Sequence, residues 1–352
     1  MIPKKILAIK LRSLGDTVLM SAPLSTLHAN FPRAKIDVVV TSQWAPLLEN
    51  HPAIHKLWHY HRYQNKAARA KSIASLALNL RKFPFDCAVN FHASPSSAIL
   101  AFSSGAKMRS IHFHGHTDKN KFSTVEISGK GQLKPIIERD MDTIRAIGAK
   151  SEPNQLPKIY LKESEILEAK ETLAQTQLPP PYLGIALGAS RPTKIWPITN
   201  FIEVSKNWKK QTGGSIILLG IDDEKELTSH FSKAFKKDEL HTFLDLPIRK
   251  LCAVISKLNV LIGNDSGPRH IAVAVDTPTI TLIGPEHPLE WHPYPVDRHP
   301  FFYIENLNCR KDAHPGMPQW CSLYTCEKEN HKCMKLIGSE PVTKKLMEIY
   351  KK

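Results

Sequence analysis

Long apolar runs are missing from this chain of 352 residues. None approaches the roughly 20 residues that cross a bilayer, so a helical membrane span is not expected. The N-terminus does not read as a secretory signal either. Its apolar stretch is short, interrupted by Lys10 and Arg12, and followed by Asp16 where a signal would need small residues for cleavage. Cysteine is scarce, six in all, and no C-x-x-C pair occurs, so a standard zinc-ribbon spacing is missing. A cytoplasmic protein with mostly reduced thiols is the simplest expectation. There is no short internal repeat, no low-complexity tract, and no basic patch interleaved with aromatics, so nucleic acid is not an expected partner.

What is present suits two globular α/β domains. Hydrophobic residues make up 42% of the chain, enough for substantial cores. The formal charge of +15 is uneven: residues 1–150 hold 22 Lys and Arg against 9 Asp and Glu, and the rest holds 26 against 24. An anionic partner docking on the N-terminal half is one reading: a phosphorylated acceptor, an anionic membrane surface or a nucleic acid. A soluble basic surface without a specific partner is the other.

Strand and helix patterns alternate twice. Lys5 to Leu11, Ile36 to Val40, Asp86 to Phe91 and Arg109 to Phe113 read as strands. Between and after them, helical patterns run from Thr17 to Asn30, Ala45 to Asn50, Lys66 to Lys82 and Glu138 to Ile147. Residues 151–180 turn polar and proline-rich, ending in Pro179-Pro180-Pro181, and read as a linker. The alternation restarts at Tyr182 to Leu187. Helices are expected at Thr199 to Gln211, Glu224 to Phe235, Pro247 to Lys257 and Arg269 to Val275, with strands at Ser215 to Leu219, Val260 to Ile262 and Thr279 to Ile283. Such alternation is the signature of doubly wound parallel sheets. Two Rossmann-like domains follow, with a cleft between them as the default ligand site.

The chemistry-bearing segments lie at strand ends. After the first strand comes Arg12-Ser13-Leu14-Gly15-Asp16; Asp16 reads either as a general base or as a helix N-cap. In Leu187-Gly188-Ala189-Ser190-Arg191-Pro192-Thr193-Lys194-Ile195-Trp196-Pro197, the small loop and Lys194 can hold a pyrophosphate, or form a solvated loop. Glu224 follows another strand, where a carboxylate commonly bonds ribose hydroxyls or simply decorates a helix first turn. Val260 to Pro285 is the most telling stretch. An apolar strand breaks at Gly263-Asn264-Asp265-Ser266-Gly267-Pro268 into a helix start, where free N–H groups and the dipole can receive a phosphate, or where an ordinary N-cap sits.

Taken in order, these segments resemble glycosyltransferase family 9, the ADP-heptose:lipopolysaccharide heptosyltransferases. Residues 6–16 are similar to the family's opening strand and S-x-G-D loop, and residues 190–197 to its Lys-x-Trp-Pro segment. Asp265 through His270 resembles D-[ST]-G-x-x-H, and Cys333-Met334 a C-terminal Cys-Met element. Arg269 stands where a small or apolar residue is expected. The resemblance implies the GT-B glycosyltransferase fold: an acceptor domain over 1–160, a nucleotide-sugar domain over 161–335, and a terminal helix over 336–352 crossing back to the first domain. It implies Asp16 as catalytic base and Lys194 as the cation for the leaving diphosphate. Gly15, Ser190, Glu224, Asp265, Ser266, Gly267 and His270 would join Lys194 around the donor. The implied reaction is an inverting transfer of a heptose from ADP-heptose to a lipopolysaccharide core acceptor, with no cofactor, since no Asp-x-Asp metal motif appears in a suitable loop. Another sugar or glycan acceptor, a nucleic-acid-binding protein, and an inactive sugar-nucleotide binder are the alternatives.

Three further features complete the expectations. Arg62, Lys66 and Arg69, in the basic segment 55–71, are candidates for an anionic glycolipid acceptor, and a peripheral contact with the inner face of the cytoplasmic membrane would suit the same charge. If that segment is helical, spacings of three and four would put them on one face; if its start is a loop, the fold implied by the resemblance would still place them at the border of the cleft. Cys309, Cys321, Cys326 and Cys333 are dense enough for a structural metal or a disulfide, but unlinked cysteines in an irregular segment fit the spacing better. His112, His114 and His116 would share one strand face, as a surface or acceptor-facing cluster more than a metal site.

Overall fold

Ile6, Leu7, Ala8 and Ile9 are fully buried in β1 (Lys5–Lys10), because this strand has a parallel neighbour on each edge. One neighbour is β2 (Lys35–Thr41), the other β4 (Cys87–Asn90). Beyond them lie β3 (Ile54–Tyr60) and β5 (Met108–Ile111), giving the order β3-β2-β1-β4-β5. Helices α1 (Leu14–Leu19), α2 (Ser21–Asn30), α3 (Lys66–Arg81), α4 (Pro95–Ser103) and α5 (Ile136–Arg145) complete this first unit. The computed structural model describes residues 2–92, 94–112, 121–127, 134–310 and 320–351, and the chain divides into two compact units after Tyr160.

The second unit begins with α6 (Glu163–Ala174). Its six-stranded sheet has the order β11-β10-β9-β6-β7-β8. The strands are β6 (Tyr182–Ala186), β7 (Ser215–Gly220), β8 (Leu240–Leu244), β9 (Val260–Asn264), β10 (Thr279–Ile283) and β11 (Phe301–Tyr303), paired in parallel. The helices are α7 (Ile198–Thr212), α8 (Lys225–Ser232), α9 (Ile248–Ile255), α10 (Gly267–Ala274), α11 (Pro288–Trp291), α12 (Lys332–Lys335) and α13 (Ser339–Tyr350). Its core joins Trp196, Phe201 and Trp208 to strand residues such as Ile185, Leu218 and Ile262.

In each sheet the chain order reverses beside the strand that opens it. In the first unit β1 lies between β2 and β4; in the second β6 lies between β7 and β9. Such switch points leave a crevice at the carboxyl ends of the strands, the usual ligand position in open α/β sheets. Asp16 follows β1, and the segments 187–197 and 265–267 follow β6 and β9.

Four expectations need correction. The helix expected from Thr17 to Asn30 is two helices, α1 and α2. Pro23, at the third position of α2, has no N–H to continue the ladder from α1. The stretch 151–180 is not simply a linker. It contains α6, which buries Ala169 and Leu173 and is clamped to α9 by a bidentate pair, Arg249 Nε and Nη2 to Glu165 at 2.7 and 2.6 Å. The terminal helix, expected to cross back, lies in the second unit: Val342, Leu346 and Ile349 form one stripe in that core, and the Tyr350 ring meets Trp208 edge-on, with centroids 4.7 Å apart. Finally, Arg62 is in the loop after β3, outside α3, so it shares no helix face with Lys66 and Arg69.

Candidate active site

Ser13, not Asp16, caps α1. Its Oγ accepts from the Asp16 N–H at 3.5 Å and donates to Asp16 Oδ2 at 2.6 Å. Arg12 Nε stands 3.5 Å from the same oxygen. This holds the carboxylate of Asp16 in one orientation, and its Oδ1 is buried without a hydrogen-bond partner. Gly15 precedes it in the same buried turn. At the end of β1, Lys10 is paired with Asp140, and both are fully buried. Burial raises the Asp140 carboxyl to about 6 against the pull of Lys10, while the negative charge of Asp16 pushes it the same way as burial.

In the second unit Asn264, fully buried at the end of β9, anchors the loop after β6. Its Oδ1 accepts from Trp196 N at 2.9 Å and its Nδ2 donates to Leu187 O at 2.6 Å. Trp196 Nε1 donates to Ile337 O at 2.9 Å, and Thr193 Oγ1 to Leu323 O at 2.9 Å. These bonds fix Lys194, whose Nζ meets Asp265 Oδ2 at 2.7 Å and lies 3.5 Å from Glu286 Oε1. Arg191 pairs with Glu286, and Arg269 with Asp265. Asp265 is held far below the usual carboxylate range: burial works against ionisation, but the Arg269 and Lys194 charges outweigh it. Glu286, by contrast, is raised, chiefly by burial.

Ser266 precedes α10, yet its side chain makes no capping bond, and its Oγ is buried without a hydrogen-bond partner. An ordinary N-cap role does not describe it. Gly267 opens the helix. His270, on the next turn, bonds Tyr294 through Nδ1, and burial lowers its pKa well below the ordinary value. Arg269 lies across this cluster: Nη1 reaches His292 Nδ1 at 3.1 Å and Nη2 donates to Trp291 O at 2.8 Å. His292 Nε2 faces His299 O at 2.6 Å, so Nε2 carries the hydrogen and Nδ1 accepts from Arg269. That tautomer agrees with a His292 pKa lowered to about 3, mainly by burial. The arginine that departs from the family pattern is thus a buried strut for Asp265.

Glu224 stands against Gly188, its carboxyl raised chiefly by burial. The structure therefore groups Lys194, Asp265, Ser266, Gly267 and His270, and separately joins Glu224 to the loop that carries Ser190, which is exposed. Sequence reasoning missed Glu286, Tyr294 and His292, and quoted Arg191 without giving it a role. Glu286 had a readable signal: it directly follows Gly284-Pro285, where β10 ends, as Asp265 follows β9.

The remaining candidates lie elsewhere. Arg62, Lys66 and Arg69 are exposed, with Asn65 Oδ1 capping α3 between them through Ala67 N at 2.8 Å and Ala68 N at 3.2 Å. His112 is buried after β5; His114 and His116 lie outside the described residues. Cys309, Cys321, Cys326 and Cys333 form no disulfide and line one small cavity of about 20 Å³. Among the described residues, no group of three or more His, Cys, Asp or Glu side chains is arranged to hold a metal ion. Nor is any described helix long and apolar enough to cross a membrane.

Comparison with known proteins agrees with these motifs. Residues 73–316 match the profile of glycosyltransferase family 9 (heptosyltransferase). The chain is 26% identical to lipopolysaccharide heptosyltransferase 3 of Escherichia coli strain K12, over 80% of this chain and 82% of that one. It is 25% identical to lipooligosaccharide heptosyltransferase 2 of Campylobacter jejuni, over 96% of both. A solved glycosyl transferase family 9 structure from Veillonella parvula shares the fold, with a TM-score of 0.81, 22% identity and coverage of 99% of this chain and 97% of that one. With a profile match over more than half its length and the two parallel-sheet units of the GT-B class, the chain belongs to glycosyltransferase family 9 and is a glycosyltransferase.

Proposed function

We propose that this protein transfers a heptose from ADP-heptose to a lipopolysaccharide core acceptor, with inversion at the anomeric carbon. The observation that carries the donor assignment is the placing of Lys194 and the unpartnered Ser266 hydroxyl together at the carboxyl ends of β6 and β9. The acceptor hydroxyl attacks the anomeric carbon on the face opposite the diphosphate. Its proton passes to Asp16, whose Oδ1 has no hydrogen-bond partner while Ser13 holds Oδ2. The bond from the sugar to the phosphate oxygen breaks, and its electron pair leaves with the nucleoside diphosphate. Lys194 and the N–H groups at the start of α10 meet the growing charge, Glu224 bonds the ribose, and His270 faces the sugar-phosphate end.

The chain's own cations supply charge to the leaving group, so the reading is one of transfer without a metal cofactor. Turnover retained in EDTA supports it; loss restored by Mg²⁺ overturns it. For the acceptor we propose Arg62, Lys66 and Arg69. Lys66 and Arg69 sit in the first turn of α3, which has no acidic residue, so their charge opposes the helix dipole. That arrangement suits an external anion: the phosphorylated glycolipid, reached at the inner face of the cytoplasmic membrane. The donor assignment is tested by calorimetry with ADP. Wild-type binding that Lys194→Ala weakens supports it, and equal binding by both proteins refutes it.

A further inference from the structure

Two carboxylates stand among the cations of the proposed donor site, and they are held differently. Asp265, at the end of β9, is gripped by Arg269 from one side and by Lys194 at 2.7 Å from the other. Arg269 is itself fixed by Trp291 O and His292. Glu286, after β10, has Arg191 and the same Lys194, the latter only at 3.5 Å. Both Glu286 and its arginine are largely buried, with side chains 14% and 15% exposed. The anion that claims Lys194 must compete with both carboxylates, and Glu286 is the more weakly held.

The charges set what happens next. Arg191, Lys194 and Arg269 face Asp265 and Glu286, while the nearby His270 and His292 are kept neutral by burial. Three positive charges against two negative ones accept a diphosphate poorly, since two more negative charges would reverse the sign of a largely buried cluster. Glu290, on α11, adds a further like charge facing Glu286. Loss of one resident negative charge offsets part of that excess. The group poised to lose it is Glu286, already raised by burial and by the charges of Asp265 and Glu290, against the pull of Lys194 and Arg191.

We infer that Glu286 is a resident counter-anion of the donor site: it holds Arg191 and Lys194 in place in the free protein and takes up a proton when a nucleoside diphosphate claims them. Glu286 is then a positioning residue that also limits how tightly the diphosphate product is retained. This rests on the donor assignment above. It gives Glu286 a role opposite to that of Lys194, because the carboxylate opposes binding of the anion that the lysine favours.

The test is calorimetric titration with ADP in buffers of different ionisation enthalpy, across pH 6 to 8, for wild type, Glu286→Gln and Lys194→Ala. Glutamine has the shape of glutamate without its charge, so Glu286→Gln keeps an acceptor for Arg191 and separates charge from shape. Free ADP contributes the same phosphate titration to every experiment, and Lys194 is present in both wild type and Glu286→Gln, so the difference between those two reports on Glu286. The expected result is that Glu286→Gln binds ADP about tenfold more tightly than wild type at pH 7.5, as removal of a charged competitor implies. Wild type should also take up more protons per ADP than the variant. Lys194-dependent binding in which Glu286→Gln neither tightens ADP nor lowers proton uptake would overturn the inference and leave the donor site standing. Binding unaffected by Lys194→Ala would overturn the donor assignment and the inference with it.

Discussion

The carboxylate of Glu224 occupies the space a side chain would need at Gly188: a Cβ on Gly188 would lie 1.5 Å from Glu224 Oε1. Glycine lets a carboxylate approach the turn after β6 closely, and the two residues come from adjacent strand ends. A methyl at this point must push Glu224 aside, and its flexible side chain can move. Gly188→Ala should therefore stay folded, with stability within about 1 kcal/mol of wild type. Its KM for the donor should rise about tenfold, the worth of a hydrogen bond to a charged group. Steady-state kinetics checks this, and an unchanged donor KM would remove Glu224 from the ribose site.

Lys194 and Ser266 should separate by magnitude. Lys194→Ala removes a charged contact worth roughly 1.5–3 kcal/mol, and Ser266→Ala a neutral one worth about 1 kcal/mol. Lys194→Ala also leaves Asp265 and Glu286 without a shared cation, which adds to the loss. Calorimetry with ADP should show both variants weakened, Lys194→Ala more. Unchanged affinity in both would discard the donor map.

Replacing Arg62, Lys66 and Arg69 together with Ala should raise the acceptor KM several-fold and leave the donor KM nearly unchanged. Added salt should weaken acceptor binding more than donor binding. These three side chains are exposed, and exposed charges are screened beyond about 8–10 Å near physiological ionic strength. Equal effects on both substrates would show that the patch is not the acceptor site.

Acid should destabilise the fold through buried histidines. His51, His292 and His299 are lowered from 6.5 to about 4, 3 and 4, in each case mainly by burial. Between pH 6.5 and about 4 the unfolded chain binds protons that the folded chain refuses, so stability is full above 6.5 and falls as pH drops through this window. Thermal unfolding followed from about pH 7.5 to about pH 4.5 should show a falling midpoint, with a shallower slope in His292→Gln. A midpoint that is flat or rises on acidification would contradict this.

The interior of the fold was legible because strands paired on both sides are almost wholly apolar: residues 6–9, 36–40 and 279–283 needed no context. The strands that escaped, β3, β8 and β11, are all sheet edges. Their exposed faces carry residues such as His55, Lys56 and His241, which break an apolar run. Helix α6 escaped for a related reason, since only Ala169, Thr172 and Leu173 are buried and much of its polar anchoring comes from far along the chain, from Arg249 on Glu165 and Lys250 on Glu168. In the site, Asp16, Lys194 and Asp265 could be found because each follows a strand in a small polar turn. Glu286 could not be paired with Arg191 in advance, because their separation of 95 residues is closed only by the placing of β10 in the sheet.

The most direct test of the central claim is heptose transfer by the purified protein from ADP-heptose to a heptose-deficient lipopolysaccharide core, comparing wild type with Asp16→Asn. Asparagine preserves the shape beside Ser13 but cannot take a proton. The account predicts transfer by wild type, a kcat for Asp16→Asn lower by about 10²–10⁴-fold, and nearly unchanged ADP affinity. No transfer by wild type, or a near wild-type kcat in Asp16→Asn, would contradict it.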